Sequence, residues 1–343
     1  MDATIKDVAQ LAGVSYTTVS RALNDKRGVH RKTKSKVLRA ARELRYRPNA
    51  LARGLVNRRS HSIGLVIPDI TNPFFPEVAR GIEDGANEAG YSTILCNTNW
   101  EHPKEANYID LLVEKRVDGI ILAPISPAVT FFPQDLRNRV PIVYVDKVPR
   151  DSGGSFVMID NVRGGYLATK HLIDSGYREI GFIGAPNDSS TIDERLKGYR
   201  MALEEHGLMI DEGYIRFGDY KRETGFNIIR KMIQEKHYPR AIFAENDLLA
   251  LGVLQGAKEQ GLSIPEDLAV VGFDDIPMAS FPEVQLTTVY QPKYRMGRLA
   301  VEMLLEGIER GDESADRKVV LEPELIIRKS SYPVESGYLV EGS

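Results

Sequence analysis

Apolar residues follow two different periods along this chain. In the first fifty residues they recur every three to four positions, the spacing of an amphipathic helix; from residue 61 onward they come as short unbroken runs separated by helical stretches. The opening segment puts Ile5, Val8, Ala9 and Ala12 on one helical face, behind a Thr-x-x-Asp capping pattern at Thr4 and Asp7. Gly13-Val14 breaks the period, and Ser15 is placed to cap a second helix on which Val19, Ala22 and Leu23 share a face. Thr17, Ser20, Arg21 and Asn24 fall on the opposite face, at i, i+3, i+4 and i+7. A third helix, over about 31–45, buries Val37, Ala41 and Leu44.

Two short helices joined by a tight Gly-containing turn, with a third closing the core, predict a helix-turn-helix. The second helix would enter a major groove. Tyr16, Thr17 and Arg21 would then meet base edges, and Arg matches a guanine edge through two parallel hydrogen bonds. The polar stripe alone reads equally well as a solvated face; charge decides between the two. Residues 1–60 hold fifteen Lys and Arg against four Asp and Glu, a net +11, so the remainder carries −14 of the chain's −3. A cationic head on an anionic body points to a phosphate backbone as the head's partner. Lys32, Lys34, Lys36, Arg39 and Arg42 suit phosphates or solubility better than base reading.

Residues 46–60 read YRPNALARGLVNRRS. Pro48 stops the third helix, and Asn49 can cap a short one from Ala50 to Val56. Such a helix is marginal alone in water, and Gly54 weakens it by about 1 kcal/mol. The segment is expected to order only with a partner. Leu51 and Leu55 share a face; Leu55 could wedge between base steps or pack on protein, and spacing does not choose.

The body alternates strand-like and helix-like runs. HSIGLVIP, YSTILCNT, VDGIILAP and VPIVYVD form one series, and SFVMID, EIGFIGAP, AIFAEN and LAVVGFDD a second. Such runs suit parallel strands buried on both faces, giving two doubly wound α/β lobes. Crossings fall near Ile159–Val162 and near 286–292. The expected division is a head over 1–46, a hinge over 47–60 and a two-lobed domain over 61–330. Within it, lobe 1 takes about 61–159 and 291–318, and lobe 2 about 160–290 and 319–330; 331–343 is a tail.

At 343 residues with 27% charged, the chain is long enough for two or three globular domains. The single cysteine, Cys96, excludes an intrachain disulfide and fits a reducing compartment. No stretch suits a bilayer span or a signal peptide, so a cytoplasmic location is expected.

Ligands of doubly wound sheets bind beyond the carboxyl ends of the strands. Asp69, Asn97, Asp146, Asn246 and Asp274 all follow predicted strands, and Phe74 and Phe75 open the first body helix. Carboxylates and amides accept from or donate to hydroxyls while a ring covers an apolar face, so this edge suits a small polyhydroxylated ligand. No phosphate-binding loop, nucleophile elbow or His-Glu-x-x-His motif is present. Gly164-Gly165 is not a dinucleotide fingerprint, and His171 lies within a helical pattern. No enzymatic activity, cofactor or metal is expected.

IKDVAQLAGVSYTTVSRALN, YRPNALARGL, NPFF, KRVDGIIL, ERLKGY, FAENDLLALGVL, VVGFDDI and LTTVYQP, in this order, resemble the lactose/galactose repressor (LacI/GalR) family of bacterial transcription regulators over about residues 3–330. The resemblance implies a helix-turn-helix head, a hinge helix and a periplasmic-binding-protein-like body. It implies a homodimeric repressor that binds a pseudo-palindromic operator under the control of a small effector. It places DNA contacts at Thr4, Ser15, Tyr16, Thr17, Ser20, Arg21 and Asn24, then at Asn49, Ala52, Arg53 and the inserting Leu55 of the hinge. Its ribose-binding pattern maps to Asn72, Phe74, Phe75, Asp146, Arg195, Tyr220, Asn246, Asp274 and Gln291. Tyr220 stands where that pattern has Phe, and Lys147 where it has Arg, which removes a bidentate fork. A ribose-like sugar is the first expectation for the effector; another monosaccharide, a sugar acid or phosphate, or a nucleobase stay open. Glu302 stands where the branch that binds a phosphorylated carrier protein uses Arg, and residues 331–343 carry no leucine heptads for a tetramer. A solute receptor and an enzyme fused to a DNA-binding head are the competing readings.

Overall fold

The structure is a computed structural model that describes residues 3–23, 28–46, 59–125, 140–149, 153–185, 190–311 and 316–332. The expected DNA contacts at Asn24, Asn49, Ala52, Arg53 and Leu55, Gly54 of the expected hinge helix, and the tail from 333 lie outside these residues. The chain divides into two compact units, 1–61 and 62–343.

In the first unit, α1 (Ile5–Ala12) opens with a reciprocal cap. The Thr4 amide and hydroxyl donate to the Asp7 carboxylate at 2.7 and 2.8 Å, and these bonds hold the Asp7 pKa below its ordinary value. Gly13 stops the helix in the left-handed region, φ 64°, and the Val14 amide turns back onto the Ala9 carbonyl at 3.1 Å. Ser15 accepts from the Thr18 amide at 3.2 Å and so starts α2 (Tyr16–Leu23). The His30 ring caps α3 (Arg31–Glu43), which ends two residues before the expected 45. Val8, Val19 and Val37, one from each helix, have no exposed surface and form the centre of a small core with Ala9, Ala22, Ala40 and Ala41. Leu23 and Leu44 line its edge, half-buried.

Among the described residues the second unit holds two six-stranded sheets. The chain lays down β1 (Ser62–Ile67), α4 (Phe74–Glu88), β2 (Ser92–Asn97), α5 (His102–Glu114), β3 (Gly119–Leu122), β4 (Ile142–Val145) and β5 (Ser155–Ile159), all in the first sheet or packed on it. After Ile159 it passes to the second sheet through α6 (Asn161–Asp174). It continues with β6 (Ile180–Gly184), α7 (Ser190–Glu205), β7 (Ile215–Phe217), α8 (Arg222–Gln234), β8 (Ala241–Ala244), α9 (Asp247–Glu259), β9 (Ala269–Asp274) and β10 (Thr287–Tyr290). It returns through α10 (Lys293–Arg310), which packs on α4, to β11 (Lys318–Leu321), and ends in β12 (Glu324–Ile326).

The first sheet runs β11-β5-β4-β3-β1-β2 with every pair parallel. The second runs β12-β10-β9-β8-β6-β7, and β12 is its one antiparallel strand. The sequence boundary placed 319–330 in lobe 2, yet Val319, Val320 and Leu321 pair with Val157, Met158 and Ile159 of β5. The third crossing therefore lies between Leu321 and Glu324. A four-residue edge strand with charges on both sides carries too short an apolar run to mark its own sheet. Among the described residues no helix is long and apolar enough to cross a membrane.

Gly164 and Gly165, with no nucleotide role in the sequence reading, have a packing role. A Cβ on Gly165 would overlap the Arg195 carbonyl, and one on Gly198 the Val162 carbonyl, so these glycines let α6 and α7 touch backbone to backbone. That contact carries Arg195 to its place. Gly165→Ala should lower the unfolding free energy by about 1–3 kcal/mol, because backbone cannot yield as a flexible side chain would. Gly13→Ala, where a Cβ meets nothing within 4 Å, should cost only the left-handed backbone, about 1 kcal/mol. Urea denaturation of the full chain measures both, and a Gly165→Ala chain as stable as the parent would contradict this packing.

Candidate functional site

On the head, Tyr16 is 64% exposed, and Thr17 and Arg21 are exposed beside it along α2. Ser20 is half-buried. Thr4 and Ser15 are exposed, but each already holds a helix N-terminus. Lys32, Lys36, Arg39 and Arg42 are exposed on α3, and Lys34 is half-buried. The described part of the predicted reading face thus stands at the surface, apart from the apolar core.

The body holds a narrow, partly open cleft. Nine of the ten expected residues line it: Asn72, Phe74, Phe75, Asp146, Lys147, Arg195, Tyr220, Asn246 and Asp274. Gln291 does not. It is fully buried behind the wall and donates through Nε2 to Asp274 Oδ1 at 2.7 Å, so it positions a lining residue. Asp69 and Asn97 shape the loop ahead of α4. Asp69 accepts from the Thr71 amide and hydroxyl, and Asn97 from the Ile70 amide.

Each lining residue is set by the end of an element. Asn72 accepts from the Phe74 amide at 3.1 Å and fixes the turn that presents the two rings, which meet edge to face at 5.1 Å. Asp146 follows β4 at φ 72°, and Asp274 ends β9 at φ 113°; both occupy backbone that disfavours side chains. Asn246 caps α9, accepting from the Leu249 amide at 2.8 Å. Arg195 donates from Nε to Asn161 Oδ1 at 2.9 Å and from Nη1 to the Glu245 carbonyl at 2.6 Å. Its guanidinium lies 3.7 Å from the centre of the Phe273 ring.

Three lining residues escaped the sequence reading: Trp100, Thr191 and Glu245. Trp100, at φ 63° after β2, stacks on Tyr220 at 4.2 Å and 12°. Lys147 Nζ sits 4.9 Å from the Trp100 ring centre and 5.0 Å from that of Tyr220, and donates to the Tyr220 hydroxyl at 3.3 Å. The signal for Glu245 was present, since it follows the AIFA strand directly, one residue before the Asn246 that was chosen. Trp100 lies three residues past its strand, and Thr191 lies near the start of α7, so strand ends did not point to them.

The cleft holds Asp146, Glu245 and Asp274 against Lys147 and Arg195. Burial raises the pKa of all three carboxyl groups. Glu245 rises to about 7 and Asp274 to about 6, the pull of Arg195 only partly offsetting the loss of water. Behind them Asp247, bonded to the Thr288 hydroxyl and the Ile276 amide, is raised well above the usual carboxylate value by burial and by Asp274. Such a site is a polar, ring-lined receptacle for a small ligand. Among the described residues no group of His, Cys, Asp and Glu is arranged to hold a metal ion.

Comparison with known proteins joins the two units. Residues 4–49 match the model of the bacterial regulatory proteins of the lacI family, and residues 169–331 match that of a periplasmic binding protein-like domain. The ribose operon repressor of Escherichia coli is 41% identical over 310 residues, 89% of this chain and 93% of that one. The HTH-type transcriptional repressor PurR of Photobacterium profundum is 39% identical over 335 residues, 96% of this chain and 98% of that one. The lac repressor dimer bound to operator and an anti-inducer superposes with a TM-score of 0.84 at 27% identity, covering 97% of this chain and 100% of that one. Matches of this identity along nearly the whole length make the chain a member of the lacI family of bacterial regulatory proteins.

Proposed function

We propose that this chain is a cytoplasmic, effector-controlled transcriptional repressor that binds a pseudo-palindromic operator as a homodimer. Tyr16, Thr17, Ser20 and Arg21 read the major groove, with Asn24 at the end of the same stripe and Thr4 and Ser15 at the flanks. Asn49, Ala52, Arg53 and Leu55 contact the minor groove at the centre of the site. The exposure of Tyr16, Thr17 and Arg21 along one helix of a strongly cationic head carries the reading. The likeness to a repressor dimer seen on operator supports the dimeric state.

The effector in this reading is a monosaccharide. Phe74, Phe75 and Trp100 offer apolar faces, and Asp146, Asp274 and Asn246 offer acceptors and a donor for hydroxyls. The ribose operon repressor among the relatives supports a ribose-like ligand. The excess of carboxylates over cations disfavours a sugar phosphate or sugar acid, which would add further negative charge to a buried, already anionic site. A ligand that binds one arrangement of the two lobes better than another shifts operator affinity by the difference, about 1–3 kcal/mol in systems of this kind. Regulation, not turnover, is the output.

Gel-shift titration against the gene's own upstream DNA should show a specific complex that responds to the effector. Arg21→Ala should weaken it by about 1–3 kcal/mol, roughly five- to 150-fold, and relax preference at one base pair. An unchanged affinity would remove Arg21 from the reading face. Log affinity should fall with log salt at a slope of about −0.9 per phosphate neutralised, and a flat dependence would contradict the role given to the head's charge.

The cleft also sets a pH dependence. Glu245 at about 7 stands above its unfolded value, so the stability tied to its neutral form is present at acid pH and is lost as pH rises through 7. His171, which burial holds at about 4, opposes this only below its ordinary 6.5. Between pH 6.5 and 8 the melting temperature of the ligand-free protein should therefore fall. A rising midpoint over that window would contradict the burial of these acids.

A further inference from the structure

One carboxylate of the cleft is buried with an oxygen that has no hydrogen-bond partner among the described residues. Glu245 is 1% exposed, and its backbone is fixed by β8, the amide donating to the Ile183 carbonyl at 2.9 Å. Its Oε2 is ion-paired with Arg195 Nη1 at 3.6 Å without a hydrogen bond between them, and its Oε1 has no hydrogen-bond partner among the described residues. Glu245 lines the cleft, and a buried acceptor with no protein partner is completed by a donor from a ligand or a water.

Charge decides what kind of donor. Arg195 already gives Nε and Nη1 to Asn161 and to the Glu245 main chain. Lys147 lies against the rings of Trp100 and Tyr220. The nearby Lys293 gives its ammonium to the carbonyls of Asp274 and Asp275 and lies 3.7 Å from Glu77. The protein's own cations are thus engaged, while three carboxylates face two of them around the cavity. A hydroxyl would satisfy one lone pair and leave the charge. An ammonium brings up to three donors and a further positive charge where three carboxylates meet two cations, and charge-assisted bonds are roughly twice as strong as neutral ones.

We propose that Glu245 is the specificity-determining residue of the cleft and that its unpartnered oxygen receives a protonated amine, so that the effector is an amino sugar. This rests on the reading of the cleft as a monosaccharide site.

Calorimetric titration of the full-length protein at pH 7.5, where Glu245 is mostly ionised, tests it with D-ribose and with three matched pairs: glucose and glucosamine, galactose and galactosamine, mannose and mannosamine. At least one amino sugar should bind about tenfold or more tightly than its neutral parent, as a charge-assisted bond requires. Glu245→Gln should bring the two members of that pair close to equality. The same variant, relieved of a buried charge, should melt at or above the parent's midpoint without ligand. Glu245→Asp keeps the charge but withdraws it by one methylene; it should reduce the preference, and it decides the matter if the Gln variant does not fold. Neutral parents binding as well as the amines, or a preference that survives in these variants, overturns the proposal. If D-ribose binds and no amino sugar does, the monosaccharide reading stands and the amine falls; if nothing in the panel binds, both fall.

Discussion

The guanidinium of Arg195 is the contact on which the cleft depends. It reaches the cavity because α6 and α7 meet backbone to backbone through Gly165 and Gly198. Once there it joins three separate pieces of the lobe: Asn161 at the first crossing, the Glu245 carbonyl at the end of β8, and the Phe273 ring on β9. A planar cation with fixed donors can do this where an ammonium could not, because each piece meets it from a different direction. It is also the charge that most strongly opposes desolvation of Glu245 and Asp274. Removing it would leave buried carboxylates without their main counter-charge, and that loss costs more than the missing hydrogen bonds alone.

The head was legible because its signals are local. Thr4, Asp7, Gly13 and Ser15 act within four residues of where they stand, and the valine core follows from helical spacing alone. The body's strands were legible as buried apolar runs, and their ends pointed to Asp146, Asn246 and Asp274. Other features could not be read this way, because they depend on what a distant segment brings. Trp100 belongs to the cleft only because Tyr220 comes to stack on it. Gln291 took a place in the expected lining, yet it faces a carboxylate and not the cavity. β11 joins the first sheet because β5 offers a free edge, a fact absent from its own four residues.

The same distinction separates stability from function in the cleft. Val143, Ile242 and Val271 fill the sheets with no cost that water would have spared them. The acids at the strand ends are expensive by comparison: they are buried, their ionisation is suppressed, and Asp146 and Asp274 hold backbone angles that a glycine would tolerate better. Folding alone gives no reason to keep them. Their concentration at one edge, facing a cavity, is what a binding site requires, since a ligand can satisfy groups that the protein leaves short of partners.

This shortage also suits a switch. A cleft already satisfied by its own side chains would gain little from a ligand and could shift no equilibrium, because a ligand acts only through its differential interaction with two states. The stacked Trp100 and Tyr220, one following β2 of the first sheet and one preceding α8 of the second, with Lys147 donating to the Tyr220 hydroxyl, tie the two lobes directly at the cavity. That tie includes a ring pair, a cation over the Tyr220 ring and a 3.3 Å hydrogen bond, contacts of the same kind as those a small ligand makes. In the proposed reading, occupancy of the cleft then selects the arrangement of the lobes.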